Sequence, residues 1–152
     1  MAGWTNRGPN NVLDVVFRGA AIPGDAFAVF LATSATAPTA DHNLKTDLTE
    51  IAAGQGYSAG GLNVARDSTD WDVLTEDDSG DLAKIQIKDL VWTASGGNLP
   101  ASGNGARYAG LTDQHATVGS RMLLAYWDLT ADRTVSDTQT LTLQDCELRI
   151  TN

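Results

Sequence analysis

The chain has 152 residues, a formal net charge of −9 at pH 7 and a single cysteine. A chain of this length predicts one domain that can bury a core of its own. The negative charge disfavours binding to nucleic acids and to anionic membranes, because their phosphate groups carry the same sign.

The N-terminal residues lack the basic-then-apolar order of a signal peptide, and no apolar run approaches the roughly 20 residues that span a bilayer. We therefore expect a protein that is made and used as a soluble product, with no membrane partner. Cys146 has no second cysteine with which to form a disulfide, and it is expected to be a small buried apolar residue.

The composition is typical of strands and turns. Sixteen of the 19 acidic residues are Asp, whereas Lys occurs three times and Thr occurs 17 times. Asp favours turns, where its short side chain bonds to nearby backbone N–H groups, and Thr favours strands. The chain is therefore predicted to be mainly β.

The first ten residues show no periodicity, and residues 1–10 are predicted to form an extended arm. Trp4 stands out in this arm because a large apolar ring needs a pocket, either on its own domain or on another subunit. Apolar residues at spacings of three and four then predict a short helix over residues 11–18, with Asn10 or Asn11 as the N-cap. A strand is the alternative there, because three of these residues are valine.

The next apolar segments predict two strands and a helix. Residues 26–32 alternate between two apolar faces, as in a strand that is buried on both sides. Residues 44–53 place apolar side chains on one helical face and precede Gly54, which predicts a short helix. Residues 62–66 are predicted to form a short strand.

The second half of the chain alternates between strand-like runs and turn-rich segments. Residues 67–81 hold seven acids and are predicted to be a loop, 82–92 is the clearest strand, and 93–105 is predicted to be a long loop. Further strands are predicted at residues 106–111, 121–129, 139–143 and 146–150. Short strands separated by turns indicate an antiparallel β-sandwich or a partly closed barrel, with one or two short helices. The predicted organisation is the arm, 1–10, followed by a single β domain, 11–152.

The segment GQGYSAGG, residues 54–61, fits the glycine pattern of a loop that holds a dinucleotide pyrophosphate. Such a loop follows a strand and opens a helix, because the helix N-terminus supplies the N–H groups that bind phosphate. Here the order is reversed, since a predicted helix precedes the glycines and a predicted strand follows them. We therefore interpret the segment as a tight turn over which Tyr57 packs, and we predict no cofactor.

The chain carries no motif that predicts an enzyme. A calcium loop of the EF-hand type would need an acid where Thr75 stands, but a looser cation site stays open as an alternative to a solvated loop. The acids that could form it are Asp70, Asp72, Asp77, Asp78 and Asp81. His42 and His115 lie in polar contexts, are expected at the surface and belong to no zinc or hydrolase motif. The sequence thus predicts no catalytic residue and no defined metal site.

Aromatic residues in the second half of the chain have two possible roles. They could form a platform for sugar rings, or they could pack in the core, which is the commoner arrangement for aromatics on alternating strands. We favour the core. The residues concerned are Trp71, Trp92, Tyr108, Tyr126 and Trp127.

Three phrases carry a resemblance to a known group of proteins: FLATS from Phe30, GYSAGG from Gly56, and TVSDTQTLTL from Thr134. With the pieces between them, from about residue 11 to residue 150, they resemble small structural proteins of tailed-bacteriophage virions. Members of this group are capsid decoration (cement) proteins, head fibres and small tail proteins.

The resemblance implies a structural protein and no enzymatic activity. Our first expectation is a homotrimer that binds the major capsid protein on the outer surface of the virion and stabilises the shell. The arm would bind a partner through Trp4, Arg7 and Pro9. The alternative is a small tail-fibre, baseplate or receptor-binding protein that recognises a host glycan or protein. In both cases the chain would be synthesised in the host cytoplasm.

Overall fold

A computed structural model describes residues 2–151, so that Met1 and Asn152 lie outside the described residues. The elements are α1 (Arg7–Arg18) and the strands β1 (Ala2–Trp4), β2 (Ala26–Ala32), β3 (Leu62–Ala65), β4 (Val73–Asp77), β5 (Leu82–Ile87), β6 (Leu90–Thr93), β7 (Ala106–Asp113), β8 (Leu123–Arg133), β9 (Thr140–Leu143) and β10 (Cys146–Thr151). Short 3-10 turns lie at Pro23–Asp25, Lys45–Asp47 and Val118–Ser120.

The strands form two antiparallel sheets and one further pair. The larger sheet has five strands in the order β1-β8-β7-β2-β3, and the smaller has three in the order β10-β5-β4. β6 and β9 form the separate pair. Within residues 2–151 the outer strands of the larger sheet do not meet, so no barrel closes and the fold is the predicted mainly β sandwich.

β5 and β6 run along β10 and β9 as one long ribbon in a single register. Ile87 lies opposite Cys146, and three residues further on Leu90 lies opposite Leu143. Pairing is interrupted for two residues on each strand and resumes without a shift. The strand predicted over 82–92 is therefore confirmed, with a short break between β5 and β6.

The main core lies between the five-stranded sheet and this ribbon. Val29 and Leu31 of β2 belong to it, as does Trp92 of the ribbon, and all three are at most 2 % exposed. Phe30 and Ala32 are fully buried in a second, smaller cluster. Because successive side chains of a strand point to opposite faces, β2 is buried on both sides, as its sequence predicts.

The N-terminal residues do not form the predicted extended arm. β1 pairs with β8 at the edge of the five-stranded sheet, and α1 begins at Arg7, earlier than predicted. Pro9 fits the first turn because the N–H that proline lacks would have no partner within the helix at that position. A Cβ on Gly8 would lie 2.4 Å from the Leu124 carbonyl oxygen, so the close approach of α1 to β8 requires glycine there.

The prediction of a helix over residues 44–53 is wrong. The segment contains one 3-10 turn, Lys45–Asp47, and is otherwise irregular or extended. Its backbone bonds to the end of β2, where the Ile51 N–H donates to the Leu31 carbonyl at 3.0 Å. Bonds to a neighbouring strand replace bonds within a helix, so tertiary pairing overrides the helical spacing of the apolar residues.

The acidic segment predicted as a loop over 67–81 contains a strand, β4, which pairs with β5. Asp77 begins the tight turn between them, and its carboxylate accepts bonds from the N–H groups of Ser79 and Gly80 at 3.0 Å. This is the turn role that favours Asp. The long loop at 93–105 is confirmed, and so are the strands predicted in the regions of β3, β7, β8, β9 and β10, with shifts at their ends.

The glycine segment 54–61 is a turn, as interpreted, although no helix precedes it. All four of its glycines have a positive φ. A Cβ on Gly61 would lie 1.9 Å from the Val29 carbonyl oxygen. Tyr57 is 3 % exposed, and its hydroxyl accepts the Leu31 N–H at 3.0 Å and donates to Glu50 at 2.7 Å. The turn therefore holds a buried tyrosine against β2.

Replacing Gly61 with alanine should lower the free energy of unfolding by about 3 kcal/mol or more, because backbone strain adds to the clash with β2. Gly103 is a matched control, since its φ is +77° and a Cβ there would meet nothing within 4 Å. Gly103→Ala should cost about 1–2 kcal/mol from backbone strain alone. Urea denaturation followed by tryptophan fluorescence measures both variants. Equal losses for the two would contradict the close approach of Gly61 to β2.

Candidate interaction surface

Helix α1 carries apolar side chains on the side that packs against the domain and also on part of its solvent-exposed side. Val15 is partly buried towards the domain, whereas Leu13, Val16 and Phe17 are 56 %, 66 % and 78 % exposed. A surface helix normally presents one apolar stripe to the core and polar residues to water. We call Leu13, Val16 and Phe17 the outer helix face, which lacks that polar character.

A groove of about 480 Å³ separates α1 from the hairpin formed by β4 and β5. Val12 and Val16 line its helix side, Leu74 lines its hairpin side, and Leu111 and Leu124 lie at its floor on the five-stranded sheet. Leu74 is 78 % exposed. Because Val16 belongs both to this α1–hairpin groove and to the outer helix face, the two form one continuous apolar surface.

One end of the groove is formed by the turn between β3 and β4. Trp71 packs edge-on against Phe27 there, with ring centroids 5.6 Å apart. The Asp70 carboxylate accepts the Ala65 N–H at 2.7 Å and forms an ion pair with Lys88. The Lys88 hydrogen bond, followed by the Ala65 N–H, holds the pKa of Asp70 below its usual range. Asp70 thus fixes the turn that positions Trp71.

The hairpin of β4 and β5 and the helix α1 differ in charge. Residues 72–81, which we call the acidic hairpin, contain five acids and no basic residue. α1 contains Arg7, Asp14 and Arg18, a net charge of +1, and Arg18 pairs with Asp14 at 3.3 Å. Among the residues that the structure describes, none of the five acids is in an ion pair. Of residues 72–81 Leu74 alone lines the groove, whose charged lining residues are Arg66 and Asp67, so the acids lie beyond the groove.

The residues predicted to bind a partner are placed differently from one another. Trp4 folds back onto its own domain, where it is partly buried and its Nε1–H donates to the Arg149 carbonyl at 2.8 Å. Arg7 and Pro9 are exposed on the first turn of α1. Trp4 therefore packs on its own domain, which is the first of the two places predicted for its ring. The binding of a partner by Arg7 and Pro9 stays a prediction.

A second cleft, of about 520 Å³, lies where β1 and β8 meet β10. Trp4 and Trp127 line it, and the Trp127 Nε1–H donates to the Glu147 carbonyl at 3.2 Å. Both indole N–H groups thus bond to β10 and join the two sheets. Trp92 and Trp127 are buried, which confirms the core interpretation for these two aromatics.

The acids that could have formed a cation site do not assemble into one. Asp70 pairs with Lys88, and Asp77 bonds within its own turn. Within residues 2–151, no three His, Cys, Asp or Glu side chains come together in a way that could hold a metal ion. His42 and His115 are half-buried rather than fully at the surface, and Nδ1 of each accepts a backbone N–H in its own loop at 3.1 Å.

A buried polar network lies behind the glycine turn. Lys45 is 5 % exposed, forms an ion pair with Glu50 and lies 4.8 Å from the centre of the Phe30 ring. Glu50 also accepts the Gly60 N–H at 2.6 Å. Burial, together with the Glu50 charge, raises the pKa of Tyr57 well above its usual value. Because these buried polar groups form hydrogen bonds and an ion pair with one another, the network stabilises the glycine turn.

Cys146 is 2 % exposed, as expected. Burial, with a smaller contribution from Asp145, raises the pKa of its thiol to about 12. The thiolate is the nucleophilic form of cysteine, so burial and the raised pKa both disfavour thiol chemistry of Cys146 at neutral pH.

Comparisons with protein-family models, curated proteins and solved structures find no match to this chain. Among the described residues, no helix combines the length and the apolar character needed to cross a bilayer. The resemblance to virion proteins therefore stays a prediction, and the surface itself is the main guide to function.

The sequence predicted the helix but missed the exposure of its outer face. The sequence contained a signal for this exposure, because five of the twelve helix residues are large and apolar. That number is more than a single core-facing apolar stripe of the helix can hold. Leu74 gave no such signal, since its exposure depends on how β4 is added to the edge of the smaller sheet.

Replacing Asp70 with asparagine should lower the free energy of unfolding at neutral pH by about 1–3 kcal/mol, because Lys88 loses its charged partner. The folded-state pKa of Asp70 lies below the unfolded value. Its stabilising contribution is therefore present above about pH 4 and is lost as the pH falls through the folded pKa. Urea denaturation at a series of pH values should show the difference between wild type and variant shrinking towards low pH.

The matched control for this measurement is Asp72→Asn, which removes a nearby exposed acid. It should change stability by less than about 0.5 kcal/mol at every pH. A loss for Asp70→Asn that stayed constant from neutral to acid pH would contradict the role of its charge.

Proposed function

We propose that this chain is a structural protein of a tailed-bacteriophage virion, with decoration of the outer capsid surface as its favoured role. The observation that best supports this proposal is the continuous apolar surface of the outer helix face and the α1–hairpin groove. Exposed apolar patches of this kind are typical of surfaces that bind other proteins. The resemblance over residues 11–150 supplies the partners, which are the major capsid protein and further copies of the chain.

A decoration protein acts mechanically. It binds assembled capsomers better than separated ones, so its binding free energy adds to the cost of taking the shell apart. The net charge of −9 suits an outward position, where the protein stays away from the packaged genome. The sandwich suits this work because its own strands bury the core and hold the binding surfaces in place.

The test is to incubate the purified protein with empty capsids or with host cells and to sediment each mixture. We expect the protein to pellet with capsids up to a fixed number of copies per capsomer, and to raise the temperature at which the capsids come apart. Capsids that already carry their full set of decoration protein are the control and should bind no more.

Pelleting with cells and not with capsids would overturn capsid decoration. That result would favour the alternative, a small tail-fibre or baseplate protein that recognises a host glycan or protein. Pelleting with neither would contradict both roles.

A further inference from the structure

A reactive amide lies on the surface just before β7. Asn104 is exposed at the end of the long loop, and Gly105 follows it and leads into the strand. We propose that Asn104 is a site of spontaneous deamidation, at which the chain modifies itself without an enzyme. This inference goes beyond the proposed function and does not depend on it.

The reaction needs only these two residues and water. The Gly105 backbone nitrogen attacks Cγ, the carbonyl carbon of the Asn104 side chain, and the new N–C bond closes a succinimide ring. The bond between Cγ and the side-chain nitrogen breaks, and that nitrogen leaves as ammonia with the proton lost by the Gly105 N–H. Water then adds to one of the two ring carbonyls and opens the ring, which leaves aspartate or isoaspartate at position 104.

The Gly105 nitrogen is available for this attack. Within residues 2–151 the Gly105 N–H has no hydrogen-bond partner in the protein, and the nearest backbone bonds before it join Leu99 to Val135 at 2.9 and 3.0 Å. Glycine also has no side chain to crowd its nitrogen. Neither a hydrogen bond nor a side chain therefore stands in the way of the attack.

The loop before Gly105 lets the Asn104 side chain reach that nitrogen. Residues 101–104 are all exposed, and among the described residues none of the four takes part in a hydrogen bond. The side-chain bonds on either side of them belong to Gly97 and Arg107. Exposed segments with few bonds and few packed contacts open at a low free-energy cost. Rotation of this loop therefore brings Cγ of Asn104 to the Gly105 nitrogen while the strand behind it stays paired.

The packing of β7 against β8 keeps glycine at position 105. A Cβ there would lie 2.8 Å from the Arg133 carbonyl oxygen and 2.9 Å from the Arg133 nitrogen. Any other residue would have to push β8 away, which costs stability. The fold thus demands, next to Asn104, the residue type that leaves an asparagine most reactive.

Asn98 provides an internal comparison in the same loop. It is exposed like Asn104, but the next residue is Leu99, which is fully buried and whose N–H donates to the Val135 carbonyl at 2.9 Å. Attack on Asn98 would break this bond and displace a core side chain. Of these two exposed asparagines, the structure therefore protects one and leaves the other reactive.

The test ages the purified protein for several weeks at physiological temperature and mildly alkaline pH. Protein from the same preparation, kept frozen, is the zero-time control, because digestion itself deamidates some asparagine. Cleavage after Lys88 and Arg107 releases residues 89–107, a single peptide that contains both asparagines. Tandem mass spectrometry locates the mass gain at each asparagine, and released ammonia gives a second readout.

We expect Asn104 to deamidate at least about tenfold faster than Asn98 in the folded protein. Isoelectric focusing should show one additional negative charge per modified chain. In urea the Leu99–Val135 bond is lost, so Asn98 should react faster, whereas Asn104 should react nearly as fast folded as unfolded.

Asn104→Gln is the matched control. It keeps an exposed amide but would have to close a larger ring, so position 104 should gain no mass over the same period. Since Asn104 makes no hydrogen bond, the variant should keep the wild-type circular dichroism and urea midpoint. Aged protein with unmodified Asn104, equal rates at the two asparagines, or a rate at Asn104 about tenfold lower in the folded protein than in urea would overturn the inference.

Discussion

Strand β2 has apolar side chains on both faces, and the layers around it are arranged to keep water away from them. The ribbon of β5, β6, β9 and β10 covers one face, while part of the segment between β2 and β3 covers the other. β3 pairs with β2 only as far as Val29. Beyond that point the Leu31 N–H bonds to the Tyr57 hydroxyl, and the Leu31 carbonyl accepts the Ile51 N–H. A buried backbone group needs a partner, so the glycine turn and the extended segment before it follow from the burial of β2.

The same arrangement leaves α1 at the margin of the domain. The central strands of the five-stranded sheet are covered on both faces by other segments, and the helix packs along β8 and β1 instead. Its inner residues and Val16 line the groove, but within residues 2–151 Leu13, Val16 and Phe17 stay more than half exposed. An exposed apolar surface reduces the solubility of a monomer, and surfaces of this kind are typical of proteins that bind other proteins.

The charges fall into two groups with different consequences. The Lys45–Glu50 and Asp70–Lys88 pairs lie against the protein interior, where each partner compensates the burial of the other. Exposed pairs such as Asp14–Arg18 contribute little to stability because water and salt screen them. The acids of residues 72–81 contribute to neither group, since none is in an ion pair within the described chain. Asp77 bonds within its own turn, and the other four carboxylates are exposed to solvent.

The sequence by itself determined the mainly β class, the doubly buried strand β2, the long strand of the ribbon, the turn at residues 54–61 and the burial of Cys146. Each of these depends on local patterns, namely alternation with a period of two, turn residues, and the size and polarity of single side chains. The tertiary structure decided the rest. Leu48 and Ile51 share a helical spacing, yet they enter clusters on opposite sides of the five-stranded sheet, because their backbone pairs with a distant strand. The residues predicted as an arm became an edge strand and a helical turn, and the outer helix face stayed uncovered, because both outcomes depend on which parts of the chain meet across long sequence separations.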